Sequence, residues 1–274
     1  MSAAPILAFG QMCAGGEVQE NLATVASLAS RARDAGAALL VLPECFAFMG
    51  QHDDDTSKMA EPLEGALFDR YRALARDAGL WMCFGGFPEK TSASHHHNAH
   101  VVVDETGGIR AVYRKIHLFD VTLPNGGVYQ ESRHTAPGTE LVVVDSPVGK
   151  LGLSVCYDLR FPELYRALAA RGAEVLLVPA AFTLTTGKEH WEPLLRARAI
   201  ENECWVVAAA QTGRHNERRE TYGHAMAIDP WGTVVAQCRD GTGIATCAID
   251  RAWLDEVRRR IPVWQHRRPD RYGS

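Results

Sequence analysis

The sequence predicts an α/β protein, a four-layer αββα sandwich with two stacked mixed sheets and helices outside. Short apolar runs, typical of strands buried on both faces, alternate with amphipathic helical patterns. This alternation occurs twice. A predicted helix from Asn21 to Ala35 precedes the apolar run at Leu39, and one from Glu163 to Gly172 precedes the run at Val175. Two such halves, each a sheet with helices on one face, can stack sheet on sheet.

In the first half, glycine and proline mark where the predicted elements end. Gly36 and Gly79 follow helical patterns, Pro43 follows an apolar run, and Thr106-Gly-Gly108 separates two strands as a hairpin turn does. The predicted elements are strand Ile6 to Gln11, helix Asn21 to Ala35, strand Leu39 to Leu42, a polar loop from Gln51 to Glu61, helix Phe68 to Ala78, strand Trp81 to Phe84 ending at Gly85-Gly86, and a hairpin of Val101 to Val103 with Ile109 to Tyr113.

The second half begins after a long connection, Val121 to Gly138, which has no clear periodicity. Pro162 suits the first turn of a helix, because its missing N–H would have had no partner there. The predicted elements are strands Val142 to Val144 and Leu151 to Val155, a helix from Pro162, strand Val175 to Val178, a loop through Thr185-Thr-Gly187, helix His190 to Glu203, strands Trp205 to Ala210, Ala225 to Ile228, Val234 to Gln237 and Ile244 to Ala248, and helix Trp253 to Arg260.

Composition narrows the function classes. The chain has 274 residues, is 46% hydrophobic and carries a net charge of −4, which suits one domain over residues 1–274 and disfavours nucleic acid or an anionic membrane as partner. No apolar run is long enough to cross a bilayer, and the first residues lack the pattern of a secretory signal. Seven cysteines without a CxxC pair indicate reduced thiols, so we expect a cytoplasmic protein. The chain also lacks the glycine-rich motifs of dinucleotide and P-loop enzymes.

Three histidines in a row, His95 to His97, raise the question of a metal site. Adjacent residues on a strand point to opposite faces, so the three cannot converge on one ion. We expect a solvated loop here and no metal.

Three polar residues stand at the carboxyl ends of apolar strands. Glu44 follows Leu39 to Pro43, Lys115 follows the second hairpin strand, and Cys156 follows Leu151 to Val155. In open α/β architectures that edge is where reactive groups gather. A carboxylate could take the thiol proton, an ammonium could stabilise an oxyanion, and the sulfur could attack a carbonyl or nitrile carbon. Because Cys156 precedes a predicted helix, we expect its pKa to be lowered.

These residues carry a resemblance to a known family. Leu42-Pro-Glu44, Tyr113-Arg-Lys115 and Val155-Cys-Tyr-Asp158 resemble the three catalytic motifs of the nitrilase (carbon–nitrogen hydrolase) superfamily, and the chain is similar to its amidase branch over nearly its whole length. The resemblance implies that Glu44 is the base, Cys156 the nucleophile, and Lys115 with the Tyr157 backbone N–H the oxyanion donors. It assigns Glu131 as a second glutamate that orients Lys115 and the substrate or water.

The resemblance also implies where the substrate binds. Arg160 matches a position that faces a substrate carboxylate, although it could instead form a structural ion pair with Asp158. Phe182 and Thr186 match positions that line the same pocket. The implied reaction needs no cofactor. Its substrate would be a small or peptide-like amide of a 2-oxo acid, such as deaminated glutathione or 2-oxoglutaramate, cleaved to an acid and an amine or ammonia through a cysteine thioester.

Alternative functions stay open at this point. Within the superfamily these are action on a small ω-amide, a nitrile or an N-carbamoyl compound. In another class, the chain could be an idle sandwich that serves as a binding partner. The basic, aromatic tail, residues 261–274, has no core of its own, and in the family such tails cross onto a neighbouring subunit. We therefore expect a homodimer.

Overall fold

The computed structural model describes residues 3–52, 54–123 and 126–272. Asp53 of the predicted polar loop and the last two residues of the predicted tail, 273–274, lie outside this range. The described residues form sixteen strands: β1 (Ile6–Met12), β2 (Leu39–Leu42), β3 (Trp81–Lys90), β4 (His96–Val103), β5 (Ile109–Arg114), β6 (Asp120–Thr122), β7 (Val128–Gln130), β8 (Val143–Ser146), β9 (Gly149–Leu153), β10 (Val175–Leu177), β11 (Trp205–Ala208), β12 (Ala210–Arg214), β13 (Glu220–Tyr222), β14 (Met226–Ile228), β15 (Val234–Gln237) and β16 (Gly243–Ala248).

The same residues form eight α-helices and two single-turn 3-10 helices. The α-helices are α1 (Val18–Asp34), α2 (Asp55–Met59), α3 (Ala66–Ala78), α4 (Pro162–Ala170), α5 (Leu184–Asn202), α6 (Arg251–Arg260), α7 (Val263–His266) and α8 (Pro269–Tyr272); the 3-10 helices are Glu131–Arg133 and Cys156–Arg160.

Two mixed sheets form the middle of the molecule. The first runs in the order β13-β12-β1-β2-β3-β4-β5, with β16 also paired to β1; the second runs β15-β14-β11-β10-β9-β8. Strands β6 and β7 form a separate two-stranded sheet. The predicted four-layer αββα architecture is confirmed.

Alternation along the strands of the first sheet builds both of its interfaces. Phe9 and Val41 belong to the core shared with the second sheet, whereas their neighbours Ala8 and Leu40 pack in the core under α1 and α3. Successive side chains of a strand point to opposite faces, so a sheet covered on both sides must be apolar at every position. This is why β2 reads as an uninterrupted run of buried aliphatic residues.

The chain changes sheets at Ala209. Strand β11 lies in the second sheet and β12 in the first, with the buried Ala209 between them. The prediction of one strand from Trp205 to Ala210 was therefore wrong. Both parts are apolar at this point, so the apolar pattern does not reveal the crossover.

Other boundaries also differ from those predicted, three of them near the site. The polar loop at 51–61 contains the short helix α2, and α5 begins at Leu184, so Thr185 to Gly187 are helical. Strand β3 continues through Gly85 and Gly86 to Lys90. The two glycines are there for space: a Cβ on Gly85 would lie 2.1 Å from Pro179, and one on Gly86 would lie 2.6 Å from the amide oxygen of Asn98.

The histidine segment was predicted as a solvated loop, and that prediction was wrong. His96 and His97 begin β4, whereas His95 lies just before the strand; His96 and the later His100 are buried and His97 is half-buried. The Nδ1 of His100 lies 3.0 Å from the carbonyl oxygen of Ser154 in the second sheet. Burial lowers the pKa of both His96 and His100 to about 4, so both rings are neutral at neutral pH.

The C-terminal segment packs partly on its own chain. The indole N–H of Trp264 donates to the carbonyl oxygen of Asn202 at 3.3 Å, and the Arg166 guanidinium lies over the Trp264 ring. Tyr272, which follows Trp264, is 64% exposed, and Ile261, which precedes it, is 49% exposed. In the described ranges no helix is both long and apolar enough to cross a membrane. All seven cysteines are free.

Candidate active site

The three predicted catalytic residues meet between the two sheets. Glu44 follows β2 and Lys115 follows β5 in the first sheet, whereas Cys156 follows β9 in the second. All three line one cavity of about 290 Å³. They are also largely buried, with exposed fractions of 3%, 2% and 8%. Stacking the sheets is therefore what assembles the site.

Cys156 is held in an uncommon backbone conformation. Its φ of 50° lies in the left-handed region, and its N–H donates to the carbonyl oxygen of Pro179 at 2.9 Å. A 3-10 turn, Cys156–Arg160, separates it from α4, so the cysteine does not sit at the start of that helix. A side chain at a sharp turn after a buried strand projects into the cavity, as a nucleophile must.

Both carboxylate oxygens of Glu44 are engaged. Oε1 accepts from Lys115 Nζ at 2.9 Å and from the side-chain amide of Asn98 at 2.8 Å, and Oε2 accepts from the Ala181 N–H at 3.0 Å. The carboxylate also forms a hydrogen bond with the Cys156 thiol. Glu44 is thus fixed in place, with the nucleophile's proton within reach.

Lys115 lies between two carboxylates. Its Nζ is 2.9 Å from Glu44 Oε1 and 2.8 Å from Glu131 Oε2. Glu131 is itself held by the Phe119 N–H, which donates to Oε2 at 2.7 Å. The structure therefore places Glu131 beside Lys115, as the sequence predicted. An ammonium has three N–H donors, and here Glu44 accepts from it at 2.9 Å while both oxygens of Glu131 accept at 2.8 and 3.0 Å. A substrate oxygen can therefore bind Lys115 in place of one of the two Glu131 contacts.

Asn98 belongs to this site and was missed in the sequence. Its side-chain amide donates to Glu44 at 2.8 Å and to Glu131 at 3.2 Å, so it bridges the two carboxylates. The hairpin could have revealed it. Extending the β4–β5 pairing back from the turn brings Asn98 beside Lys115, whose N–H donates to the Asn98 carbonyl oxygen.

Asp158 was weighed as an ion-pair partner of Arg160, and the structure shows other partners. One oxygen accepts from the Tyr113 hydroxyl at 2.7 Å and from the Val155 N–H, and the other accepts from the backbone N–H of His117 at 3.1 Å, with His117 Nδ1 at 2.7 Å. Fully buried, Asp158 ties the segment that carries Lys115 to the turn that carries Cys156.

Arg160 also lines the cavity. Its guanidinium lies 5.5 Å from the Phe182 ring centroid and 6.0 Å from that of Tyr157, and it donates toward His190 Nδ1 at 3.3 Å. Across the described parts of the chain, no carboxylate lies within ion-pair distance of it. Thr186 lines the same cavity from the first turn of α5, where the Thr183 hydroxyl caps the helix. All four predicted substrate-binding residues thus face one space.

Burial and charge set the protonation states. Burial raises the pKa of the Cys156 thiol well above 9.0, and the negative charge of Glu44 adds to this. For Glu44, burial alone would raise the pKa, but Lys115 and the hydrogen bonds outweigh it and the pKa falls below 4.5. For Lys115, burial is outweighed by Glu131 and Glu44, which raise its pKa above 10.5. The expected lowered pKa of Cys156 was therefore wrong.

At rest the site holds a thiol, two carboxylates and an ammonium. Within residues 3–52, 54–123 and 126–272, no group of three or more His, Cys, Asp or Glu side chains is placed to hold a metal ion. A thiol beside a fixed carboxylate base, with an ammonium beside both, defines a hydrolase of the thiol class that acts on a carbonyl derivative.

Comparison with known proteins agrees with this class. The carbon-nitrogen hydrolase family model matches residues 6–259. The deaminated glutathione amidase of Homo sapiens is 49% identical over 98% of this chain and 84% of its own length. The crystal structure of the C. elegans NitFhit protein superposes with a TM-score of 0.93 at 43% identity, over 100% of this chain and 67% of that one.

A second similar structure bears on the chemistry. It is a variant of the amidase from Nesterenkonia sp. AN1 whose active-site cysteine carries a covalently added acetamide moiety (TM-score 0.82, 28% identity, 98% of this chain and 96% of that one). The chain belongs to the carbon–nitrogen hydrolase (nitrilase) superfamily, in its amidase branch. It is an enzyme that hydrolyses carbon–nitrogen bonds.

These protonation states predict a flat pH profile. The pKa of Glu44 is lowered, so the carboxylate is lost only when the pH falls below that lowered pKa. The pKa of the Cys156 thiol is raised, so the protonated thiol is lost only when the pH rises above that raised pKa. We expect kcat/KM to stay level between about pH 6 and pH 9.

The rate at which iodoacetamide alkylates Cys156 in the absence of substrate should still be rising with pH at about pH 9. A plateau of alkylation already at neutral pH would contradict a protonated resting thiol.

Proposed function

We propose that this chain hydrolyses deaminated glutathione to 2-oxoglutarate and cysteinylglycine, with Cys156 as nucleophile and Glu44 as the general base. The observation that carries the proposal is the convergence of Cys156, Glu44 and Lys115 in a cavity that also contains Arg160. The relatives named deaminated glutathione amidase support the choice of substrate. The covalent cysteine adduct of the Nesterenkonia amidase supports the choice of nucleophile.

Acylation begins with proton transfer from Cys156 to Glu44 as the sulfur attacks the amide carbonyl. The carbonyl oxygen becomes an oxyanion, which accepts from Lys115, in place of one of its two Glu131 contacts, and from the Tyr157 N–H. One such donor lowers the barrier by about 3–4 kcal/mol. The C–N bond then breaks, Glu44 returns the proton to the leaving amine, and the acyl group remains on sulfur as a thioester.

Deacylation repeats the same steps with water. Glu44 takes a proton from a water molecule, whose oxygen attacks the thioester carbon while Lys115 again stabilises the oxyanion. The C–S bond breaks, the sulfur takes the proton back from Glu44, and the acid leaves. Glu131 keeps Lys115 in position through both halves, because it binds the ammonium at 2.8 and 3.0 Å. Each cycle consumes one water molecule and leaves the enzyme unchanged.

Arg160 supports an anionic substrate. A guanidinium binds a carboxylate with two parallel hydrogen bonds, and this one has no acidic partner within the described segments. The rival substrate is 2-oxoglutaramate, which carries the same 2-oxo acid with ammonia as leaving group. Nitriles and N-carbamoyl compounds are the further rivals. The seven free cysteines support a reducing compartment, which fits the cytoplasm.

The test is 2-oxoglutarate formation from deaminated glutathione and 2-oxoglutaramate, with Cys156→Ala as blank. We expect a higher kcat/KM for deaminated glutathione and a loss of at least about 1,000-fold in the variant, because no thioester can form without the sulfur. Circular dichroism checks that the variant folds. Cys13→Ala, a change of an exposed cysteine outside the cavity, should keep full activity. Preference for 2-oxoglutaramate would favour the rival, and turnover by Cys156→Ala would refute the mechanism.

We also propose that residues 1–274 form one catalytic domain that works as a homodimer through the groove between α4 and the tail. The match of the family model to residues 6–259 supports one domain. The groove is lined by α4 residues, including Arg166 and Ala167, and by Ile261, Val263 and Tyr272 from the tail. Ile261 and Tyr272 expose apolar surface there. In this groove, charges of both signs surround apolar residues, so the surface can be complementary to the same surface on a second copy of the chain.

Light scattering at micromolar concentration should give twice the chain mass of 30.0 kDa. Ile261→Glu should lower this to a single chain without unfolding it, because a charge would enter the apolar contact while Ile261 is already half exposed in one chain. Val235→Glu, at an exposed apolar position outside the groove, is the control and should stay dimeric. A monomeric wild type, or a dimeric Ile261→Glu, would refute this interface.

A further inference from the structure

Arg219 lines the active-site cavity, yet no step of the proposed mechanism uses it. Its Nε is buried and has no hydrogen-bond partner. In the part of the chain that the structure describes, no carboxylate lies within ion-pair distance of its guanidinium. A buried N–H of a charged group without a partner is unfavourable, because it has lost its hydrogen bonds to water. Such a group at the wall of a cavity is therefore a candidate to receive an anion.

The loop that carries Arg219 is fixed, so its position is not accidental. Its backbone N–H donates to the Asn216 side chain at 2.8 Å, and its carbonyl oxygen accepts from the His215 N–H at 3.0 Å. Asn216 in turn donates to the carbonyl oxygen of Gly50 across the cavity mouth, and His215 Nδ1 lies 2.8 Å from the Ala14 carbonyl oxygen. The β12–β13 hairpin thereby holds Arg219 against the cavity wall.

The charges in the cavity leave room for a dianion. Glu44, Glu131 and Lys115 together carry one negative charge, while Arg160, Arg218 and Arg219, which also line the cavity, add three positive charges and Cys156 is neutral. Arg160 and Arg219 have different neighbours. Arg160 lies by Tyr157 and Phe182, whereas the hairpin that carries Arg219 is hydrogen-bonded through Asn216 to Gly50, in the segment that follows Glu44.

We propose that Arg219 is a specificity-determining residue that binds the carboxylate of the leaving group of a dianionic amide, while Arg160 binds the carboxylate of the acyl group. The assignment follows from Glu44. This residue protonates the departing amine, so the leaving group must extend along its side of the cavity, where Arg219 lies. The proposal rests on the proposed function, since deaminated glutathione has one carboxylate on each side of its scissile amide. It makes the distal carboxylate the feature that separates this substrate from 2-oxoglutaramate.

The experiment compares two ligands that differ by one charge: deaminated glutathione and its C-terminal glycinamide. Turnover of both is measured as 2-oxoglutarate formation in the wild type, Arg219→Gln, Arg219→Lys and Arg160→Gln. Binding of both is measured by calorimetry in the Cys156→Ala background, where no turnover is needed. Arg214→Gln is the matched control, because it removes the same charge from the same hairpin at an exposed position outside the cavity.

Arg219→Gln should lower kcat/KM for deaminated glutathione by about 30-fold, mostly through KM, and change that for the glycinamide by less than about threefold, as expected for the loss of one charge-assisted hydrogen bond. Binding should change in the same ratio. Arg219→Lys should recover part of the loss. Arg160→Gln should weaken both ligands, and Arg214→Gln neither.

Two results would overturn the role of Arg219: equal losses for both ligands, which would mean that it acts through Glu44, or no loss for either. Failure of the proposed function gives a different result. The wild type would then form no 2-oxoglutarate from either amide, while the charge-dependent loss of binding in the Cys156→Ala background would still decide for or against Arg219.

Discussion

The site depends on one buried ammonium held between two carboxylates. Lys115 is 2% exposed and lies within 3.0 Å of both Glu44 and Glu131. A buried charge is tolerated only when it is paired and its remaining hydrogen-bonding positions are satisfied. The surrounding structure does this. Asn98 bridges the carboxylates, and the N–H groups of Ala181 and Phe119 each donate to one of them. Those donors come from several separate segments, so the ion cluster can form only when both sheets are stacked.

In the proposed mechanism, the same cluster controls the reactivity of Cys156. Because Lys115 neutralises Glu44, the carboxylate remains a base at neutral pH, and because the thiol is buried beside it, the proton stays on Cys156. The sulfur loses its proton only as it attacks the carbonyl carbon of a bound substrate, when Lys115 can stabilise the oxyanion that forms. A protonated thiol reacts more slowly with oxidants and alkylating agents than a thiolate does. Reactivity is therefore coupled to occupancy of the cavity.

The pattern of apolar runs was enough to predict the sandwich and three residues of the site, because each can be inferred from short stretches of neighbouring residues. An apolar run shows a buried strand, and Glu44, Lys115 and Cys156 each follow such a run directly. Asn98 and Arg219 carry no local pattern. Asn98 became visible only through the cross-strand pairing of β4 with β5, and Arg219 only through its buried, unpartnered Nε and its place in the wall of the cavity. The pKa of Cys156 was misjudged for the same reason: it is raised by burial of the thiol between the sheets and by the charge of Glu44 from the other sheet, and no local pattern shows either.

The central claim is that Cys156 carries the acyl group while Glu44 and Lys115 move the proton and hold the oxyanion. Rapid quenching during the first turnover, followed by mass spectrometry of the peptide that contains Cys156, tests this most directly. The account predicts the added mass of one acyl group on that peptide, released by hydroxylamine as a thioester is, and absent from Cys156→Ala. Substrate turnover with Cys156 unmodified throughout the first cycle, or with the acyl group on another residue, would contradict it.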